Sequence, residues 1–223
     1  MQSIFREPVS GFTHLAGAIL AIVALCILTV RAALYGDIWH MVSFTVFGVT
    51  MLLMFTSSSV YHLSHGSERL LMWLKRIDHM AIFLLIAGTY TPVCLIGLAS
   101  PLGNWLCVAV WSLAVAGVLM KALWISAPRW LSTLVYVLMG WMVVAAGPQL
   151  LAIPGNTLDW LIAGGLFYTV GALIYATRKP DPFPGVFGYH EIWHLFVMGG
   201  VFCHFWAIAF GLATPVTTGT PQG

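Results

Sequence analysis

Phe12-Thr-His-Leu-Ala-Gly-Ala-Ile-Leu-Ala-Ile-Val-Ala-Leu-Cys-Ile-Leu-Thr-Val-Arg-Ala-Ala-Leu34 runs for 23 residues with a single formal charge, at Arg31. As a helix it rises about 34 Å, enough to cross a hydrocarbon core of about 30 Å. A soluble amphipathic helix would alternate polar and apolar faces, and this stretch has no charged face. The same reading extends along the chain. Of 223 residues, 60% are hydrophobic and 7% charged, against about 25% charged in soluble domains. Too few polar groups exist to cover a water-soluble fold, so the apolar excess faces lipid. Gly36-Asp37, Ser100 to Gly103, Pro128-Arg129, Pro154-Gly155-Asn156 and Pro180 to Gly188 supply most of the breaks between apolar runs. They divide residues 1–223 into seven spans, near 12–34, 39–62, 77–97, 103–124, 130–150, 157–177 and 190–212. The expected fold is an all-α integral membrane protein, a single domain built as a seven-helix transmembrane bundle.

Lysine and arginine in short loops stay on the cytoplasmic side. Arg6 precedes span 1. Arg69, Lys75 and Arg76 separate spans 2 and 3, Lys121 and Arg129 flank the turn between spans 4 and 5, and Arg178 and Lys179 follow span 6. Eight of the nine bases fall on one side and only Arg31 dissents, which places the N-terminus in the cytoplasm and the C-terminus, Thr214 to Gly223, outside. Trp39, Trp105, Trp124, Trp130 and Trp160 lie near span ends, as in an interfacial aromatic belt. Ser67 to Arg76 is too short to cross and mixes charges with Leu70, Leu71, Trp73 and Leu74. It reads as an interfacial helix. Cys26, Cys94, Cys107 and Cys203 sit in apolar runs without CxxC spacing and read as small core residues. A net charge of +2, with no basic run interleaved with aromatics, excludes nucleic acid as a partner.

Ionisable residues inside a span are costly and therefore mark function. The topology brings several to one depth. Span 2 ends in Phe55-Thr-Ser-Ser-Ser-Val-Tyr-His62, with Ser58 one helical turn before His62. Asp78 lies at the start of span 3. Span 7 opens with His190-Glu-Ile-Trp-His194, whose two histidines are one turn apart on one face. His62, His190 and His194 offer three imidazoles to one ion and leave a fourth position open, the arrangement in which zinc lowers the pKa of bound water to about 7. Asp78 suits a carboxylate that orients this water or acts as general base, and Ser58 a hydrogen-bond donor to Asp78 or to a zinc-bound ligand. The competing reading makes each histidine a hydrogen-bonded packing residue. His190 to His194 also satisfies HExxH, but Glu191 points about 100° from the His190 face and is equally a helix-start carboxylate favoured by the dipole. His14, with Thr13 and Glu7, falls near the same end of span 1. His204 lies about 21 Å further along span 7, too far to share the metal. In span 3, Pro92 predicts a kink whose unpaired carbonyls the hydroxyls of Thr89 and Thr91 can meet.

Together Ser58-x3-His62, Asp78-His79, Ala87-Gly-Thr-Tyr-Thr-Pro92, His190-x3-His194 and Cys203-His204-Phe205 resemble the bacterial hemolysin III family. That family is grouped with the progestin and adipoQ receptors, which include the adiponectin receptors, and with the alkaline ceramidases. The likeness runs from Glu7 and Thr13-His14 to span 7. It implies seven spans in a bacterial inner membrane, a zinc ion held near the cytoplasmic face by His62, His190 and His194, contact of Asp78 with the zinc-bound water, and support from Ser58. Among eukaryotic relatives the associated activity is hydrolysis of a lipid amide, so the resemblance implies a membrane lipid as substrate or ligand. Glu191 is outside the family's His-x3-His pattern. The alternative is a non-enzymatic membrane sensor in which zinc only ties helices together. An ion pathway is disfavoured by the lack of a carboxylate chain across the bilayer, and a metalloprotease by the absence of any acidic residue after His194.

Overall fold

In a computed structural model that describes residues 4–213, the chain forms helices α1 (Pro8–Tyr35), α2 (Ile38–Leu63), α3 (Glu68–Pro92), α4 (Pro101–Leu123), α5 (Arg129–Gly140), α6 (Thr157–Thr177) and α7 (Tyr189–Trp206). With the helical turns that prolong α3, α5 and α7, all seven are long and apolar enough to cross a membrane. The protein is an all-helical, multi-pass membrane protein. Residues 214–223, expected on the outer side, lie outside the described residues.

Caps explain several helix starts. The Asp37 carboxylate accepts the N–H groups of Trp39 and His40, and the hydroxyls of Ser67 and Ser100 accept those of Leu70 and Gly103. Short connections make neighbours antiparallel, and α1 packs on both α2 and α7 while α3 packs on α2 and α4. Without a hydrophobic force between helices in lipid, close approach depends on small residues. A Cβ on Gly17 would meet the Phe55 ring across the α1–α2 seam. Gly171, Gly199 and Gly200 take Phe196, Phe167 and Tyr168 across the α6–α7 seam, and Gly164 takes His204. These glycines serve contacts within one chain. Leu20, Val23, Val108, Val115, Leu166 and Leu173 are exposed, as a lipid-facing surface requires.

Four expectations are corrected. Residues 67–76 do not form a separate interfacial helix: capped by Ser67, they are the first turns of α3, which leaves Leu70 and Trp73 exposed beside the membrane boundary. The fifth span is not one continuous α-helix. The Tyr90 hydroxyl donates to the Gly140 carbonyl (2.6 Å) and accepts from the Val143 N–H (2.8 Å), which inserts a side chain into the helical ladder. Beyond it Met142–Ala152 winds more tightly and bends at Gly147, whose φ of 55° lies in the left-handed region that glycine tolerates. In α3 the Thr89 and Thr91 hydroxyls bond the carbonyls of Leu85 and Ala87, not that of Gly88, the group deprived by Pro92. The helix meets the proline by widening into a π-type turn over Val93–Leu98. Finally, Cys26 is exposed on the outer face of α1, whereas Cys94 and Cys203 are buried.

Arg31, the one dissenting base, has a structural cause. Its guanidinium donates to the carbonyls of Ala209 and Ala213 at the end of α7, the latter at 2.8 Å, and lies over the Phe210 and Tyr35 rings. His40 Nε2 donates to the Leu212 carbonyl beside it (3.2 Å). A cation here satisfies carbonyls that a helix terminus leaves unpaired.

Candidate metal site

At the opposite end of the bundle, the last turn of α2 and the first two turns of α7 deliver His62, His190 and His194. One ring nitrogen from each lies within 4.8 Å of the others. His62 and His194 are almost fully buried. The Nε2 atoms of His62 and His190 face one another at 3.4 Å. Two nitrogens bound at about 2.0–2.1 Å to a tetrahedral ion stand roughly 3.3–3.4 Å apart, so this pair already has the required separation.

The other faces of the rings are held. His62 Nδ1 lies 2.5 Å from a Glu7 carboxylate oxygen. A carboxylate only accepts, so the ring proton sits on Nδ1 and the Nε2 lone pair is free for an ion. That hydrogen bond, helped by Arg6 against the effect of burial, holds the Glu7 carboxyl below its usual range. Glu7 is itself fixed, because its backbone N–H donates to the His62 carbonyl (3.0 Å). His194 Nδ1 donates to the Ser10 carbonyl (3.2 Å), which frees its Nε2 in the same way. Histidines bound to metals are commonly oriented by such carboxylate and carbonyl partners. The donor set, its spacing and its tautomers thus fit zinc, which favours imidazole nitrogen.

α1 supplies the support. His14 stacks on His194 with ring centroids 3.7 Å apart and planes 15° from parallel, and its far side meets the edge of Phe55. Ser10 is fully buried: its carbonyl accepts from His194 and its hydroxyl donates to Glu191 (2.7 Å). The second Glu191 oxygen accepts the Gly188 N–H (2.8 Å) in a capping arrangement at the start of α7. Both oxygens are therefore engaged in fixing the helix start, which favours the reading of Glu191 as a helix-start carboxylate over that of a general base. Sequence reasoning placed Glu7 and His14 near the site but did not find that Glu7 holds His62. It missed Ser10 altogether, since a backbone carbonyl leaves no sequence signal.

Asp78 is buried in α3, with one carboxylate oxygen 3.4 Å from His79 Nδ1. Asp78 and Ser58 line the same cavity as the three histidines, a space of about 1240 Å³. His79 bonds the Lys75 carbonyl of its own helix, and His40 sits at the opposite end of the bundle. His204 lines the cavity too, with Nε2 donating to the Leu161 carbonyl (3.2 Å). Small-molecule pockets usually occupy about 300–1,000 Å³, and this one is larger than that range. Its wall includes Leu85, Val93, Leu158 and Val197.

The Haemolysin-III related family matches residues 2–205. The chain is 42% identical over 212 residues to a hemolysin-3 homolog of Bacillus subtilis (strain 168), covering 94% of this chain and 96% of that protein. It is 26% identical over 211 residues to the human monocyte to macrophage differentiation factor, covering 92% and 83%. It is 29% identical over 233 residues to an adiponectin receptor protein of Drosophila melanogaster, covering 93% of this chain but 52% of the receptor. With seven apolar helices and three histidines gathered at one end of them, the chain belongs to the Haemolysin-III related family, within the wider group that contains the adiponectin receptors.

Proposed function

We propose that the chain is a zinc-dependent hydrolase of a membrane lipid amide or ester in the bacterial inner membrane, its histidine end facing the cytoplasm. The observation that carries this reading is the cavity itself: three convergent imidazoles and a buried carboxylate share one large, largely apolar space. His62, His190 and His194 would hold the zinc, which when bound supplies Lewis acidity and lowers the pKa of a bound water. Asp78 accepts the proton of the attacking water and orients it, and Ser58, one turn before His62, supports the polar end of the substrate. Leu85, Val93 and Val197 bind the acyl part and exclude bulk water. Eight bases at the histidine end support this orientation, and the ninth, Arg31, is engaged by the carbonyls of α7.

The test is metal analysis of purified wild type and His194→Ala, followed by turnover of a panel of lipid amides and esters by wild type and Asp78→Asn. About one zinc per wild-type chain, less in His194→Ala, and turnover lost in Asp78→Asn with zinc retained are expected. Zinc without turnover of any lipid overturns the catalytic part. It favours the second reading, a sensor with a structural ion, which has an observation of its own: α2 and α7 both pack on α1, and an ion on their histidines would pin them across it.

A further inference from the structure

Lys121, in the last turn of α4, is only 2% exposed, yet its ammonium is not paired with a carboxylate. Its Nζ donates to the buried Ser132 hydroxyl of α5 (2.5 Å), a single partner among the described residues for a group with three donors. Ion pairs among the described residues link Arg6 and His62 to Glu7, His40 to Asp37, and His79 to Asp78, and none includes Lys121. The other lysine on the cavity wall, Lys75 of α3, is a like charge. Burying an ammonium without a counter-charge is costly, and a second cation on the same cavity wall adds to that cost. Lys121, Ser132 and Lys75 all line the cavity.

The remaining lining says what shape of ligand reaches them. Along α3 the cavity wall runs from Lys75 to Val93, 18 residues or about 27 Å at 1.5 Å per residue, close to the thickness of the hydrocarbon core. Its far part is lined by Val93, Leu150 and Leu158, and its cationic part lies where α3 starts and α4 ends. This is a space for a long apolar body with an anion at one end. Asp78, the acid on the same helix, lies against His79.

We propose that Lys121, with Ser132 and Lys75, forms a subsite for a phosphoryl group, and that the occupant is the headgroup of a phospholipid whose acyl chains fill the apolar length of the cavity. Lys121 donates two further hydrogen bonds to phosphoryl oxygens, the Ser132 hydroxyl keeps the ammonium in place, and Lys75 supplies the second positive charge. The subsite is a matter of binding and stands whether or not the histidine site hydrolyses anything.

The test measures binding and thermal protection of the full chain in neutral detergent, using dioctanoyl phosphatidic acid, dioctanoylglycerol and inorganic phosphate as probes. Wild type, Lys121→Gln, Lys121→Arg and Ser132→Ala are compared, with zinc content as the control for folding. Phosphatidic acid is expected to protect wild type and Lys121→Arg, and to bind Lys121→Gln at least tenfold more weakly, while dioctanoylglycerol protects all four alike and less. Equal protection of wild type by inorganic phosphate at the same concentration retains the subsite and overturns the lipid as its occupant. Equal protection by phosphatidic acid and dioctanoylglycerol overturns the subsite. So does identical behaviour of Lys121→Gln and Lys121→Arg, a comparison that holds even if either variant is less stable.

Discussion

Glu7 grips His62 twice, accepting the ring Nδ1 proton on its carboxylate at 2.5 Å and donating its backbone N–H to the His62 carbonyl at 3.0 Å. The residue just before α1 thereby sets both the tautomer and the position of a histidine 55 residues away at the end of α2. A ligand so oriented needs little rearrangement to meet an ion, and loss of such a partner typically weakens metal binding by about 10–100-fold. Glu7→Gln is therefore expected to weaken zinc binding by about that factor, read by competition against a chelator. Its amide can still accept from Nδ1, so Glu7→Ala is expected to weaken binding further. Affinities equal to wild type in both variants would show that Glu7 does not orient a ligand.

Asp78 and Glu191 are two acids near the same histidines with different duties. Both line the cavity, but each Glu191 oxygen already accepts a hydrogen bond, one from Gly188 and one from Ser10. Asp78→Asn is expected to retain zinc and lose at least about 100-fold in lipid turnover, the scale of a lost general base. Glu191→Ala is expected to retain most turnover and to lower thermal stability by about 1 kcal/mol, the scale of a lost helix cap. Kinetics and melting of the two variants measured side by side decide the matter, and the reverse pattern would return catalysis to Glu191.

How much of this was readable in advance depended on which force left a mark in the residues. Lipid leaves a strong one: about 20 apolar residues per crossing place the spans within a few residues of the helices, the start of the third excepted. The His190 and His194 pair is equally legible because an i, i+4 spacing has one geometric meaning on a helix. The break in α5 was hidden, because Tyr90 reaches it from 50 residues away and no local signal announces that contact. The start of α3 misled because a charged, partly apolar decamer suits an interfacial helix as well as the wet end of a long one. Ser10 was invisible, since its link to His194 uses a carbonyl that every residue has.

Gly88 faces Thr50 across the α2–α3 seam so closely that a Cβ there would fall on the threonine hydroxyl. The threonine has little room to turn away, as it is buried and donates to the Phe47 carbonyl. Gly88→Ala is expected to destabilise the protein by about 1–3 kcal/mol, the usual cost of overpacking. Thr50→Ala in the same chain should restore most of that loss by opening the space. Thermal unfolding of the two single variants and the double variant tests the coupling, and strictly additive effects would show that the two residues do not clash.

Arg31 makes the last prediction a test of topology as well as stability. Because its guanidinium satisfies the carbonyls of Ala209 and Ala213, it belongs to the structure of the far end of α7 and not to the charge pattern that orients the bundle. Arg31→Leu removes these charge-assisted hydrogen bonds and the cover over Phe210, and is expected to cost about 1.5–3 kcal/mol. Zinc content should stay at the wild-type level, since the affected carbonyls lie at the opposite end of α7 from His190. Reporter fusions at the C-terminus should give the same sidedness in both proteins, because the eight remaining bases still lie at the other end. A reversal of sidedness in the variant would mean that Arg31 takes part in setting topology, and an unchanged melting temperature would mean that its carbonyl contacts contribute nothing to the fold.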